Sequence, residues 1–252
     1  MTPYLAHIIR HPIKSHGREE LASVVLSEGA CLPWDRRWAV AHEAAKIDAD
    51  APEWVPCANF SRGAKAPSLM AIDARLDEER RTITLTHPGR APITFRPDDA
   101  TDTERFLDWV RPLCPADRAQ PARIVSVPGR GMTDTDYPSV SLINLASNAV
   151  LGGAMGMKLS PYRWRGNLWL SDLAPWEEFD WIGKRLRIGG AILEVVEPII
   201  RCKATSSNPE TGVIDADTLT ALRSLRGEQE FGVYARVISG GTIAAGDHLE
   251  VL

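Results

Sequence analysis

The sequence predicts a mainly β fold of the α+β class, made of two β-barrel-like halves with a few helices. Short segments that alternate polar and apolar residues recur along the 252 residues, as expected for strands with one face in water. Glycines separate many of these segments, and closure into barrels removes the exposed edges that short strands otherwise present. A proline-rich, polar stretch at 113–121 divides the chain into its two halves.

The first half is rich in strand patterns and ends in one helix. The segment 82–86 is a clear case, because threonines alternate with Ile83 and Leu85. From Asp102, apolar residues recur at helical spacing behind an Asp/Thr cap, and Pro112 ends this helix. The predicted strands of this half are 4–9, 22–26, 37–42, 69–76, 82–86 and 93–95.

The second half is predicted to form another sheet, which closes on itself. An apolar strand at 122–127 is followed by a turn-rich loop at 128–138, and a helix is predicted to start within 141–151. We place the boundary in the proline-rich stretch, which gives an N-terminal domain of residues 1–115 and a C-terminal domain of residues 116–252. The remaining predicted strands are 167–170, 185–188, 191–200, 233–238 and 247–251.

Composition excludes several classes of protein. The net charge of -4 gives no broad electrostatic reason to expect nucleic acid, although a local basic pocket still suits a small anionic ligand. The N-terminal residues lack the basic and apolar regions of a signal peptide, and no apolar stretch approaches the ~20 residues that cross a bilayer. We therefore expect a cytoplasmic protein that binds neither membrane nor nucleic acid.

The four cysteines, Cys31, Cys57, Cys114 and Cys202, are far apart in the sequence. Without a Cys-x-x-Cys pair, neither a zinc ribbon nor an iron–sulfur cluster is supported. The histidines show no His-x-x-x-His spacing, and no nucleophile elbow or phosphate-loop pattern occurs. Any redox chemistry is therefore expected to draw its electrons from another protein.

Cys202 is the centre of the predicted chemistry. It lies between Arg201 and Lys203, ahead of a run of small hydroxyl and amide residues. Neighbouring cations favour the thiolate, which is the form that attacks electrophiles or binds soft metals. The alternative is that this cysteine, at the end of an apolar strand, is a small buried hydrophobic residue.

Three further segments combine cations with hydroxyl or amide groups at predicted strand ends. Lys14 and Ser15 follow the first strand, where they suit an anion or form a solvated turn. Arg36 precedes the third strand, and its guanidinium fork suits a phosphate or a carboxylate, or else a surface ion pair. Arg165 and Asn167 enter an apolar strand, with a glycine between them that allows close backbone approach.

Six short motifs, taken in order, resemble the MOSC family of proteins from end to end. Each motif is weak alone, and the resemblance comes from their order. The first half resembles the N-terminal β-barrel that accompanies many MOSC domains, and the remainder resembles the MOSC domain itself. The motifs are Pro12–Ser15, Asp35–Trp38, Arg163–Leu168, Trp176–Gly183, Arg201–Cys202 with Asn208–Gly212, and Phe231–Tyr234.

The resemblance implies a molybdenum cofactor of the molybdopterin type, whose metal is held by one protein thiolate, as in the amidoxime-reducing members of the family. Cys202 falls on that thiolate and is therefore expected to be both the metal ligand and a catalytic residue. Lys14, Ser15 and Arg36 fall on the contacts to the phosphate end of the pterin. A thiolate is a soft ligand, which suits a metal bound by sulfur.

The same residue-by-residue matching assigns four residues of the second half to the cofactor pocket, namely Arg165, Asn167, Arg201 and Tyr234. The site would then be a cleft between the two halves, a common place for a cofactor. Asp136 is the expected catalytic carboxylate near the metal. Its loop departs from that of relatives, which often carry an aspartate or a Thr-Ser pair there.

The implied function is that of an oxidoreductase. It would use molybdenum to remove oxygen from N-hydroxylated or related N-oxygenated small molecules, with electrons from a separate reductase. One alternative is a carrier of molybdenum cofactor, or of sulfur as a persulfide on Cys202. Another is a scaffold whose pocket has lost its cofactor, although both cationic arms and the cysteine are retained. The family is also associated with pyridoxal phosphate binding.

Overall fold

The structure, a computed structural model, describes residues 2–48 and 51–252. Within these residues the fold is mainly β, with three α-helices, as the sequence predicts. The strands are β1 (Tyr4–Arg10), β2 (Glu19–Leu21), β3 (Ser23–Leu26), β4 (Ala39–His42), β5 (Asp73–Asp77), β6 (Thr82–His87), β7 (Arg90–Phe95), β8 (Pro121–Val125), β9 (Val140–Asn144), β10 (Leu168–Ser171), β11 (Arg185–Ile188), β12 (Ala191–Ile200), β13 (Glu230–Ser239), β14 (Gly241–Ala244) and β15 (Leu249–Val251). The helices are α1 (Ala100–Val110), α2 (Leu145–Ala154) and α3 (Thr218–Arg226).

An eight-stranded sheet forms the centre of the molecule, in the order β15-β11-β12-β13-β9-β10-β1-β2. Only β9 and β10 pair in parallel, with Leu168 opposite Leu142. Apolar side chains of this sheet pack into the largest hydrophobic cluster, which includes Leu5, Leu142 and Leu193. Burial of these side chains fixes the register, because a slip by one residue would turn them towards water.

The predicted closed barrels are not found in the described part of the chain. The central sheet runs in a strand order that ends at β15 on one side and at β2 on the other. The other strands form short separate ladders, β14-β3, β4-β8 and β5-β6-β7. Between β4 and β5 the chain forms 3-10 turns at Cys57–Asn59 and Pro67–Ala71. Within the described residues of this stretch, no strand joins the small ladders to each other.

Strands from the two halves of the sequence share sheets. In the central sheet, β1 pairs with β10 across a large sequence separation. The pairs β3 with β14 and β4 with β8 also connect residues before and after position 115. The domain boundary at residue 115 therefore stays a prediction. Hydrogen-bonded strand pairs connect residues on either side of it.

Most predicted elements are found, and the differences have local causes. The predicted helix near 102 begins earlier, at Ala100, because Asp99 caps it by accepting a hydrogen bond from the Asp102 N–H at 3.0 Å. The segment 141–151 is predicted to start as a helix, but it continues β9 as far as Asn144. The Asn144 side chain then caps α2 by accepting from the Ala146 N–H at 2.8 Å. The sequence patterns missed β2, β14 and α3.

No helix among residues 2–48 and 51–252 is long and apolar enough to cross a membrane.

Candidate functional site

A cavity of about 230 Å³ lies between the turns that follow β1, precede β4, precede β10 and follow β12. Residues of both halves of the sequence form its wall. Seven of the nine predicted site residues line it together, namely Lys14, Ser15, Arg36, Arg165, Arg201, Cys202 and Tyr234. The fold thus gathers residues of five separate sequence motifs at one place, as a cofactor or ligand site requires.

Three of these residues have a left-handed backbone. The φ angles are 64° at Ser15, 50° at Arg36 and 50° at Arg165, in a region that residues other than glycine rarely adopt. Such conformations cost free energy and persist only where the surroundings enforce them, which is common at functional sites. Here they fold the three turns sharply at the cavity wall.

Lys14 and Asp134 form an ion pair at the cavity. The buried Lys14 Nζ donates to Asp134 Oδ1 at 2.6 Å and to the Met132 carbonyl at 2.7 Å. Desolvation alone would raise the pKa of Asp134. The positive charges of Lys14, Arg36 and Arg165 outweigh this effect, so the pKa of Asp134 is lowered. The pair fixes the loop at 132–134 against the turn that follows β1.

A buried carboxylate holds Arg36 in place. Asp35 accepts a hydrogen bond from the His11 backbone N–H at 2.8 Å and pairs with Arg36 Nη1. Burial alone would raise the pKa of Asp35, but the Arg36 guanidinium and the bonds from His11 hold it well below its usual value of 3.8. Arg36 Nη2 donates to the Arg165 carbonyl at 2.8 Å, so this arginine ties the two cationic turns together.

Arg165 lies among other cations without a carboxylate in ion-pair contact within the described chain. Its Nη2 donates only long hydrogen bonds, to the Gly17 carbonyl at 3.2 Å and the Ile13 carbonyl at 3.4 Å. Burial, followed by repulsion from Arg36 and Arg18, lowers the pKa of Arg165 to about 9. It is still a cation near neutral pH, and an anion in the cavity would relieve its electrostatic strain.

Arg201 is buried and also lacks a carboxylate partner among the described residues. Its Nε donates to the Phe231 carbonyl at 2.7 Å and its Nη1 to the Trp164 carbonyl at 2.8 Å. Its Nη2 is buried with no hydrogen-bond partner in that part of the chain. Burial lowers the pKa of Arg201 to about 10. The guanidinium also lies over the rings of Trp164 and Phe231.

Cys202 is exposed at the end of β12. It precedes the 3-10 turn Lys203–Ser206, and the Thr205 hydroxyl donates to its carbonyl at 3.1 Å. The alternative of a buried hydrophobic residue is therefore wrong. Within the described chain no group of three or more His, Cys, Asp or Glu side chains is placed to hold a metal ion.

Tyr234 places a phenol at the cavity from the central sheet. It lies on β13 opposite Ser141 of β9, and both residues line the cavity. Burial, followed by the charge of Asp134, raises the pKa of the phenol to about 12. Tyr234 is therefore a neutral hydrogen-bonding group at any physiological pH.

Two predicted residues do not line the cavity. Asn167 is buried behind it, where its Oδ1 accepts from the Ser141 hydroxyl at 2.9 Å and its Nδ2 donates to the Ile9 carbonyl at 3.2 Å. Asp136 is exposed on the 128–138 loop. The carboxylate that this loop places at the cavity is Asp134, two positions earlier.

Motif reasoning missed other residues of the wall. Arg163 begins one of the six motifs but has no predicted role; it is 3% exposed and pairs with Asp215 at 2.7 Å. Arg62 and Cys57 come from the irregular stretch between β4 and β5, and Arg62 Nη1 donates to Cys57 Sγ at 3.1 Å. No strand end or motif marks these two residues. Asp134 does carry a signal, because it is one of only two acidic residues in the 128–138 loop.

Positive charge dominates the cavity. Among the described residues that line it, only Asp134 carries a carboxylate. Asp35 and Asp215 are not part of the lining and pair with Arg36 and Arg163. The cationic side chains that line it are Lys14, Arg36, Arg62, Arg163, Arg165 and Arg201. Buried cations in excess of their carboxylate partners are costly unless an anion binds, so the cavity suits an anionic ligand beside an exposed thiol.

Comparison with protein families gives two matches that together cover most of the chain. The MOSC domain matches residues 132–250, and the MOSC N-terminal beta barrel domain matches residues 2–114. The chain belongs to the MOSC family. The motif-based resemblance is thereby confirmed.

Two similar proteins are molybdenum cofactor sulfurases. The enzyme of Drosophila grimshawi is 31% identical over 117 residues, which cover 44% of this chain and 15% of that protein. The enzyme of Caenorhabditis elegans is 36% identical over 99 residues, which cover 38% of this chain and 14% of that protein. The chain thus corresponds to a small part of each sulfurase.

Solved structures give more distant likenesses. The YuaD protein from Bacillus subtilis covers 100% of this chain, and 96% of YuaD is matched, with 12% identity and a TM-score of 0.48. YiiM from Geobacillus stearothermophilus covers 45% of this chain, and 53% of YiiM is matched, with 17% identity and a TM-score of 0.34.

Proposed function

We propose that this MOSC protein binds a molybdenum cofactor of the molybdopterin type, with Cys202 Sγ as the protein ligand, and reduces N-hydroxylated or related N-oxygenated small molecules. The observation that carries this proposal is an exposed thiol at a cavity whose wall holds six cationic side chains and one carboxylate. Family membership and the similarity to segments of molybdenum cofactor sulfurases support the choice of cofactor.

The residues present fit such a group. A pterin that carries a phosphate and sulfur atoms needs cations for the phosphate, donors for its ring and a soft ligand for its metal. Arg165 and Arg201 have no carboxylate in ion-pair contact within the described chain, and Arg201 Nη2 is buried there without a partner. The exposed Cys202 thiol meets the third requirement.

The cationic turns would hold the phosphate end. Lys14 Nζ makes two hydrogen bonds in the structure, which leaves its third N–H for an anion. Arg36 is oriented by Asp35 and linked to the Arg165 turn. Because these groups are fixed before a ligand arrives, little conformational entropy is lost on binding.

The remaining residues would serve the reaction. When bound, the cofactor supplies a metal centre that takes oxygen from the substrate, with electrons from a separate electron-donor protein. Tyr234 is protonated and can donate a hydrogen bond from its hydroxyl to a ligand in the cavity. Asp134 is ionised beside Lys14 and lines the cavity, whereas Asp136 does not, so Asp134 is the carboxylate placed to accept a proton there.

A second candidate function is that of a carrier, which binds molybdenum cofactor or holds sulfur as a persulfide on Cys202 for delivery to another protein. Exposure of Cys202 favours it, because a transferable group must reach an acceptor. The similarity to molybdenum cofactor sulfurases also agrees with sulfur handling.

One experiment separates these functions. Protein from a molybdenum-replete host is analysed for molybdenum and pterin, for cyanide-releasable sulfur, and for reduction of an amidoxime with reduced viologen or with NADH alone. The reductase predicts bound cofactor and turnover with viologen but not with NADH alone. The carrier predicts bound cofactor or releasable sulfur without turnover. Absence of molybdenum, pterin and releasable sulfur contradicts both.

Cysteine variants test the ligand. Cys202→Ser is expected to lose most of the molybdenum while it folds normally, because an alcohol is a harder and far less acidic ligand than a thiol and the side chain is exposed. Cys57→Ser, in the same cavity, and Cys114→Ser, outside it, are the matched controls and should retain the metal. Wild-type molybdenum content in Cys202→Ser would reject the ligand assignment.

A further inference from the structure

A second cavity, of about 180 Å³, lies beside the first and shares only Arg62 with it. It is formed where the turn at Cys57–Asn59 and the segment 60–66 pack against residues 114–119. No motif of the sequence marks it, and the proposed cofactor site does not use it. Phe60, Ala66 and Pro115 supply apolar wall.

Among the residues that the structure describes, three cations and no carboxylate line this cavity. They are Arg62, Lys65 and Arg118. Arg62 donates to Cys57 Sγ, and neither Arg62 nor Lys65 has a carboxylate within ion-pair distance in the described chain. Asp117 Oδ2 lies 3.8 Å from Arg118 Nε, beyond hydrogen-bond distance, and both side chains are largely in water. The cavity is therefore electrostatically suited to an anion.

Two other polar side chains in the same wall each have a buried atom without a partner. Ser61 is 7% exposed, and its hydroxyl is buried with no hydrogen-bond partner among the described residues. His42 Nε2 lies 2.7 Å from the Ala58 carbonyl. Since a carbonyl only accepts, Nε2 donates this hydrogen bond, and Nδ1 is the ring nitrogen left for a ligand. That Nδ1 is likewise buried without a partner there.

We propose that this second cavity binds a phosphate group. The three cations and the Ser61 hydroxyl would donate to the phosphate oxygens, and His42 Nδ1 would hydrogen-bond to the same group. Phosphate oxygens are more basic than those of sulfate, so they accept stronger hydrogen bonds from these donors, which favours phosphate over sulfate. Cys114 also lines the cavity, and burial raises the pKa of its thiol to about 11, so it adds no negative charge.

The phosphate could be inorganic phosphate or the phosphate of a monoester whose apolar part rests on Phe60 and Pro115. Titration of the whole protein with inorganic phosphate, phenyl phosphate or sulfate at equal ionic strength, followed by backbone amide chemical shifts, locates binding. We expect phosphate to shift amides of residues 58–66 and 114–119. Tighter binding of phenyl phosphate indicates the monoester, and weaker or equal binding indicates the free ion.

Variants assign the binding to this cavity. Arg118→Gln and Ser61→Ala are each expected to weaken phosphate binding at these amides by about tenfold, the loss of one charge-assisted or buried hydrogen bond. Arg80→Gln, which changes an exposed arginine paired with Asp77, should leave phosphate binding unchanged. Shifts confined to the first cavity, sulfate binding as tight as phosphate, or full binding by both test variants would overturn the proposal.

Discussion

Asn167→Ala tests whether Asn167 is a structural tie between strands rather than a cofactor contact. In the wild-type protein Asn167 Oδ1 accepts from the Ser141 N–H at 3.2 Å and the Ser141 hydroxyl at 2.9 Å, and Nδ2 donates to the Ile9 carbonyl at 3.2 Å. Asn167 lies one residue before β10, between β9 and β1 in the central sheet. Truncation would therefore leave two buried backbone groups without this partner.

The expected loss follows from those groups. A buried polar group left unsatisfied costs about 1–3 kcal/mol, so the Ser141 N–H and the Ile9 carbonyl together predict a loss of roughly 2–6 kcal/mol. The Ser141 hydroxyl keeps a partner, because it still accepts from the Asn167 backbone N–H at 2.8 Å. Against a total stability of about 5–15 kcal/mol, this is a large fraction.

Urea unfolding followed by tryptophan fluorescence measures this loss in the cofactor-free protein. With an m-value of about 3 kcal/mol/M for a chain of this size, the midpoint should fall by about 1 M. Asn59→Ala is the matched control, because its side chain bonds the Lys46 N–H and the Pro56 carbonyl at exposed positions where water can replace it. A change below about 0.5 kcal/mol in Asn167→Ala, together with loss of bound cofactor, would refute the structural role.

Three further predictions concern acid stability and packing. Asp35→Asn should lower the free energy of unfolding at neutral pH. The difference in this free energy from wild type should shrink as the pH falls below 3.8, because a carboxylate whose pKa is lowered in the folded state stabilises the protein only while it is ionised. A difference that does not change with pH would contradict this. Burial lowers the pKa of His11 to about 3 and of His16 to about 4, so the unfolded state binds more protons between pH 4 and 6.5. The free energy of unfolding should therefore decrease as the pH is lowered from 6.5 to 4, with uptake of about two protons on unfolding. A flat profile would rule out neutral buried histidines. Gly166→Ala should lower the free energy of unfolding, measured with urea, by about 1–3 kcal/mol, because the added Cβ would lie 2.5 Å from Ile143 Cγ1. Wild-type stability would show that Ile143 moves aside without cost.

Local sequence determined most of the secondary structure, because strand alternation and helix caps act over a few residues. The pattern predicted β11 and β12 at their observed bounds, and it predicted a helix close to α1. Motif order also predicted seven of the residues that meet at the first cavity. Six of them lie at strand ends and sharp turns, which leave a mark in the sequence, and Tyr234 lies within β13.

Only the tertiary structure decided whether strands close into barrels and which polar groups face the cavity. Closure depends on pairings between distant strands, and the turns between β4 and β5 leave the ladders separate. Asp134 rather than Asp136 reaches the cavity because its carboxylate meets Lys14 across 120 residues of sequence. Asn167 faces Ser141 rather than the cavity for a similar reason. Contacts over such distances depend on how the whole chain packs, and no local pattern encodes them.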